Sequence, residues 1–410
     1  LGIKHATRLL EIDPLVEEAH RQMMLLLAYS GQRGAALKQY QTCSQVFQAE
    51  LGVEPTEATN ILYQQIQSGD FQAPEKDQSA AFEPITQPPS FLDGEFRMVK
   101  PERPVFVARE SELEQLHTFL NTALSGKGQV VFVIGEAGSG KTALISEFAQ
   151  RAQETYADLI VALGNCSDYT GAGDPYLPFR DVMGMLTGDV ETRWASSAIT
   201  QVHARRLWSL VPFSVNALMT HGTDLIDAFV PATELFSRAT AVTPATTEWL
   251  EQLKLLTERQ RAIPENLEQS NLFEQYTNVL HALAAQQPLL IMLDDLHWAD
   301  AASINLLFYL GRELAGSPIM IVCTYRPEEV SVGRNSQRHP LEKVTSEFKR
   351  QFGDIWVDLD EAKEAESLVF IESYLDSEPN NLGPSFRQAL LNHTRGHPLF
   401  TIELLRDLQR

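Results

Sequence analysis

The chain has 410 residues, 44% of them hydrophobic and 21% charged, with a formal net charge of -21 at pH 7 and a pI near 4.9. That length exceeds one ordinary core, so two or three domains are expected, with the composition of a soluble globular protein. Acidity on this scale repels a phosphate backbone, and Lys and Arg are scattered with no basic patch, which argues against direct DNA binding by this stretch of chain.

The three cysteines, Cys43, Cys166 and Cys323, are far apart and lack CxxC spacing, so they read as buried small hydrophobes in a reducing compartment. The longest apolar runs, such as PLLIML, are strand-sized, and no signal peptide is visible. A cytoplasmic protein without membrane attachment is expected. The opening LGIKHATRLLEIDP lacks Met and reads as the interior of a helix, so the chain is expected to be a fragment with further sequence upstream.

Residues 1 to about 68 read as all-helical. Asp13-Pro14 supplies an N-cap and a first-turn proline; Val16, Ala19, Met23, Leu26 and Leu27 then recur at helical spacing up to Gly31. A second helix carries Ala36, Tyr40, Cys43 and Phe47 and closes at Gly52; a third follows Pro55-Thr56 with Ile61, Leu62 and Ile66. Paired amphipathic helices joined by SGQRG are the unit of helical-repeat scaffolds, although periodicity alone fits a generic bundle equally well. Residues 69–102, rich in Pro, Gln, Ser and acids without a helical period, read as a linker.

From PVFVARESELEQL onward, helices and apolar strands alternate, which implies a parallel sheet covered on both faces. Strands are expected at 129–134, 158–163, 288–293 and 318–324, with a weaker one in DIWVDLD. A mostly helical insertion is expected over about 170–285, and the tail 361–410 is again helical.

Gly135-Glu136-Ala137-Gly138-Ser139-Gly140-Lys141-Thr142 fits GxxxxGK[ST] between a strand and a helix. The glycines let the backbone turn tightly and present bare N–H groups to phosphate, aided by the positive end of the following helix. Lys141 would reach the β and γ phosphates of ATP, and the Thr142 hydroxyl would hold Mg²⁺. The strand PLLIML ends in Asp294-Asp295, carboxylates suited to holding Mg²⁺ (Asp294) and polarising the attacking water (Asp295). His297 and Trp298 read as local packing or hydrogen-bonding residues. Arg326, at the tip of the next strand, is placed either to report the γ-phosphate or to form a surface ion pair. Arg205, Arg206 and Arg312 are equivalent candidates for an arginine finger acting in trans.

The motifs FVARESELEQL, GEAGSGKT, LLIMLDDLHWAD and CTYRPEEV, in that order, resemble the STAND class of signal-transduction ATPases and the related AAA-type module. The resemblance spans about residues 103–410. It implies a P-loop NTPase domain at 103–360 and a helical lid at 361–410, whose HTRGHPLF is similar to the class's Gly-x-Pro element. By that likeness Pro398 would lie against the adenine, Arg326 would be the sensor arginine, and Arg109 would approach the nucleoside. Ala108 stands where the class usually has Gly, and Asp295 where fast AAA-type ATPases favour Glu, which suggests slow turnover.

GQRGAALKQYQTCSQVFQAELGVEPTEATNILYQQI in turn resembles the bacterial transcriptional activator domain, a TPR-like module that follows a DNA-binding domain in large regulators. Together the two likenesses imply an α/β ATPase acting as a slow nucleotide switch in a transcriptional regulator, self-associating and engaging protein partners through its helices. Two rivals remain: an ATPase module regulating an attached cyclase or kinase, and a scaffold that binds ATP without hydrolysing it.

Overall fold

A computed structural model describes residues 17–29, 33–50, 55–56, 59–60, 62–64, 109–166, 175–195, 198–242, 248–258, 269–332, 339–360, 364–377, 380 and 382–409. The expected linker, the Asp13-Pro14 start and the residues Val16, Gly31, Gly52, Ile61 and Ile66 lie outside them. Contacts divide the chain into two compact units, Leu1–Glu83 and Pro84–Arg410.

In the first unit, helices α1 (Glu17–Tyr29) and α2 (Arg33–Glu50) pack with residues 59–60 and 62–64, also helical. Met24, Leu27, Ala36 and Leu62 form its core, bordered by stacked Tyr40 and Tyr63 rings 4.0 Å apart. Glu17 fastens the third segment: one carboxylate oxygen accepts from the Thr56 amide and hydroxyl, both at 2.7 Å, and from the Thr59 hydroxyl at 2.6 Å. This is the physical use of the polar residues in PTEATN.

The second unit begins with α3 (Glu110–Leu124), β1 (Gln129–Ile134), α4 (Lys141–Thr155) and β2 (Ile160–Asn165). Helices α5 (Leu177–Leu186), α6 (Glu191–Ala195), α7 (Gln201–His221), α8 (Ala232–Val242), α9 (Glu248–Glu258) and α10 (Gln269–Ala284) follow before β3 (Leu289–Asp294). Then come α11 (Ala301–Glu313), β4 (Ile319–Tyr325), α12 (Pro327–Val332), α13 (Pro340–Phe352) and β5 (Trp356–Asp358). Three helices close the chain: α14 (Glu364–Leu375), α15 (Pro384–Thr394) and α16 (Pro398–Gln409).

Among the described residues the five strands of the sheet are parallel, in the order β2-β3-β4-β1-β5. Because side chains alternate across a strand, each sequence divides its apolar residues between two cores. Val131, Val133, Val161, Leu290, Met292, Met320 and Val322 face α3 and α4. Val130, Phe132, Ile160, Ile291, Leu293, Ile321 and Cys323 face the other way, into the large core that includes α5, α7, α10, α11 and α13. Burial on both faces is why these strands read as continuous apolar runs. The helices from α5 to α10 all lie between β2 and β3, which are neighbours in the sheet.

That excursion leans on β2 at Gly164, where an added Cβ would stand 2.1 Å from the backbone oxygen of Pro178. Backbone cannot swing aside as a side chain does. Gly164→Ala is therefore expected to cost about 3 kcal/mol and to lower Tm by several degrees in a thermal melt.

Candidate functional site

In parallel sheets, ligands gather at the carboxyl ends of strands, and here four strand tips meet around the loop between β1 and α4. Gly135, Gly138 and Gly140 have φ of 157°, 79° and 96°, a backbone path that side chains oppose. The loop therefore wraps tightly and ends at the amino terminus of α4, with its unsatisfied first-turn amides. Glu136 and Ala137 are exposed on the rim; Ser139 is buried, and its hydroxyl has no hydrogen-bond partner. Lys141 is buried and donates to the carbonyls of Gly135 at 2.9 Å and Glu136 at 2.7 Å.

Thr142 and Asp294, 152 positions apart in sequence, meet directly: the threonine hydroxyl donates to Asp294 Oδ2 at 2.8 Å. Asp294 is buried, and its other oxygen accepts from the Thr324 hydroxyl at the tip of β4 at 2.5 Å. Strand β4 separates β1 from β3, so Thr324 bridges the gap between the loop's strand and the acidic strand. The amide of Asp295 donates to Thr324 Oγ1 at 2.8 Å and to Asp294 Oδ1 at 3.2 Å. Asp295 itself has φ 54°, a left-handed turn at a non-glycine residue, which lifts its carboxylate out of the sheet edge. The following turn drives Leu296 and His297 back inside.

Two cations share this space. Burial first, and the Arg326 guanidinium next, lower the Lys141 pKa, with Asp295, Asp360 and Asp294 acting in the opposite sense. Burial, Arg326 and Lys141 likewise bring His297 down to about 4, so it is neutral at physiological pH. Arg326 lies 3.8 Å from Glu329, a loose ion pair, while its buried Nε has no hydrogen-bond partner. Like charges converging on a loop of bare amides form a site that an anion would relax.

Arg109 and Pro398 stand at the margins of this cluster. Arg109 begins α3; its guanidinium is held by Glu112 at 2.6 Å and by the Leu359 carbonyl at 3.1 Å. Pro398 is half-buried at the start of α16. Its neighbours carry the contact: His397 Nε2 donates to the Ala137 carbonyl at 3.0 Å, and a Cβ on Gly138 would stand 2.7 Å from Leu399. Of the finger candidates, Arg206 donates to the carbonyls of Gln153 and Tyr156 at the end of α4, and Arg312 lies over the Phe308 ring.

Sequence reasoning missed Asp360 and His397. The Asp360 carboxylate, just past β5, accepts from the Glu136 amide at 2.9 and 3.1 Å, so it grips the loop one residue before His397 does. The available signal was position: Asp360 follows a predicted strand on the same edge as Asp294.

The residues present suit a magnesium-bound nucleoside triphosphate. A Cβ at Gly135 or Gly138 would crowd Ser139 or Leu399, Ser139 Oγ and Arg326 Nε are buried without partners, and the Thr142–Asp294 pair lies beside the Lys141 cation. Known proteins agree. The sequence profile of the AAA ATPase domain matches residues 105–322, and that of the bacterial transcriptional activator domain matches residues 2–67. A protein of Rhizobium meliloti (strain 1021) named only as uncharacterized is 25% identical over 228 residues, 55% of this chain and 19% of that protein. The chain thus spans about a fifth of the length of this relative. The activator domain followed by the ATPase domain is the order anticipated from the motifs. With its profile covering more than half of the sequence, the chain belongs to the AAA ATPase domain family.

Proposed function

We propose that this chain is the nucleotide-switch portion of a cytoplasmic bacterial transcriptional regulator, binding Mg·ATP and hydrolysing it slowly. The observation that carries the reading is the convergence of Lys141 and Arg326 beside the joined Thr142–Asp294 pair. On this reading Lys141 and the loop amides from Glu136 to Thr142 bind the phosphates, and Arg326 faces the terminal one. Thr142 and Asp294 hold Mg²⁺, which supplies charge neutralisation when bound. Asp295 accepts the proton of the attacking water, and Thr324 holds both acidic residues in place. Residues 361–410 act as the lid. Because His397 and Leu399 rest on the loop at Ala137 and Gly138, any ligand that reshapes the loop changes the seat of the lid; Pro398 and Arg109 are the residues assigned to the nucleoside on this reading. The differential contact is what lets nucleotide shift a conformational equilibrium.

The helical module at 1–68 and self-association read out that shift, and DNA contact belongs to another part of the regulator, consistent with the charge of -21. Among the described residues no helix is long and apolar enough to cross a membrane. The test is steady-state phosphate release by the whole chain against Asp295→Asn. A slow rate in the parent, falling about 100-fold or more in the variant, is expected from losing a general base. Indistinguishable rates would turn the reading toward a passive ATP-binding scaffold.

A further inference from the structure

His297 has no task in the scheme above, and packing alone does not account for it. Its side chain is 0% exposed, yet neither ring nitrogen has a hydrogen-bond partner. Burying unpartnered nitrogen costs stability that an apolar side chain of similar size would not incur. The ring lies in the turn Leu296–Trp298, against the Trp298 ring at 5.1 Å, with Nδ1 3.9 Å from Asp295 Oδ1. That gap is about 1 Å longer than a hydrogen bond. The main chain of Asp295 is fixed by two hydrogen bonds from its amide, whereas its carboxylate is 36% exposed. A modest rotation of that carboxylate closes the distance to Nδ1.

We propose that His297 is a positioning residue for Asp295: its Nδ1–H donates to the carboxylate and aims it at the attacking water when the site is filled. This rests on the assignment of Asp295 above. A neutral ring serves this purpose because it donates one hydrogen bond without neutralising the base. Burial first, then the cations Arg326 and Lys141, hold its pKa at about 4, so it is neutral at physiological pH. Asp294 opposes them only weakly, as the last of these influences.

The test uses the whole chain with His297→Ala and His297→Asn, each also in the Asp295→Asn background. Phosphate release gives turnover, calorimetry gives Mg·ATP affinity, and thermal melts report folding. The expected result is a roughly tenfold fall in turnover for His297→Ala with affinity held within about threefold. His297→Asn, whose amide can donate, regains part of the loss. In the Asp295→Asn background the alanine change adds nothing, since the two act as a unit. Undiminished turnover in His297→Ala overturns the proposal. So does an equal further loss in both backgrounds, or an asparagine variant as slow as alanine with the same drop in Tm, which would mark a packing role. If Asp295→Asn alone turns over at the parental rate, the Asp295 assignment fails together with this proposal, a result visible before any His297 variant is made.

Discussion

Lys141→Ala is expected to abolish measurable Mg·ATP binding by the whole chain, a loss of about 100-fold or more in affinity. An ammonium-to-phosphate hydrogen bond contributes about 1.5–3 kcal/mol, and on the proposed reading Lys141 reaches two phosphates. Its desolvated position strengthens the effect: burial and Arg326 already disfavour its charge, so an anion gains more from it there than at a surface. Folding should survive, because the bonds lost in the variant are the two from Nζ: the carbonyl of exposed Glu136 accepts readily from water, and only that of buried Gly135 loses a sheltered partner. Titration calorimetry on a chain with parental circular dichroism is the measurement. Affinity within threefold of the parent would end the assignment of this loop as the phosphate cradle.

Asp294→Ala strikes the other half of the site and should be worse for the protein as well as for turnover. Asp294 accepts from Thr142, Thr324 and the Asp295 amide; the change strands the buried Thr324 hydroxyl, whereas the Asp295 amide keeps Thr324 Oγ1 and exposed Thr142 can turn to water. One buried donor left unpaired costs about 1–3 kcal/mol, so a net loss of that order in stability follows. With Asp294 holding magnesium as proposed, its removal forfeits several kcal/mol of transition-state stabilisation, about a 1,000-fold fall in phosphate release. The magnesium concentration for half-maximal turnover should rise with it. Unchanged magnesium dependence would remove Asp294 from the metal site.

Much of this architecture was legible in the residues because the forces that shape it are local. Strands buried on both faces must be apolar throughout, so 129–134 was read to the residue and β2, β3 and β4 within two. The phosphate loop is equally local, since its glycines exist to permit left-handed backbone within eight consecutive positions. What stayed hidden was tertiary. Nothing in VDLD states that Asp360 will hold the Glu136 amide, because that requires β5 to pair with β1 across more than 200 positions. The helical tail was legible as helices, but not that its turn at Gly396-His397 would meet Ala137. His297 was read as packing or hydrogen-bonding locally because sequence reveals that a histidine follows the acidic pair, but not that its ring is sealed from water with both nitrogens idle.

The strand order also governs how the polypeptide emerges during synthesis. β1 is flanked by β4 and β5, both made long after it, with about 185 residues separating Ile134 from Ile319. At roughly 10 residues per second its VVFV stretch spends about 20 s without either sheet neighbour. An apolar segment in that state is prone to pair with a neighbouring nascent copy. Chaperone demand should therefore peak before β4 appears, and a truncation ending ahead of residue 319 should aggregate where the whole chain does not.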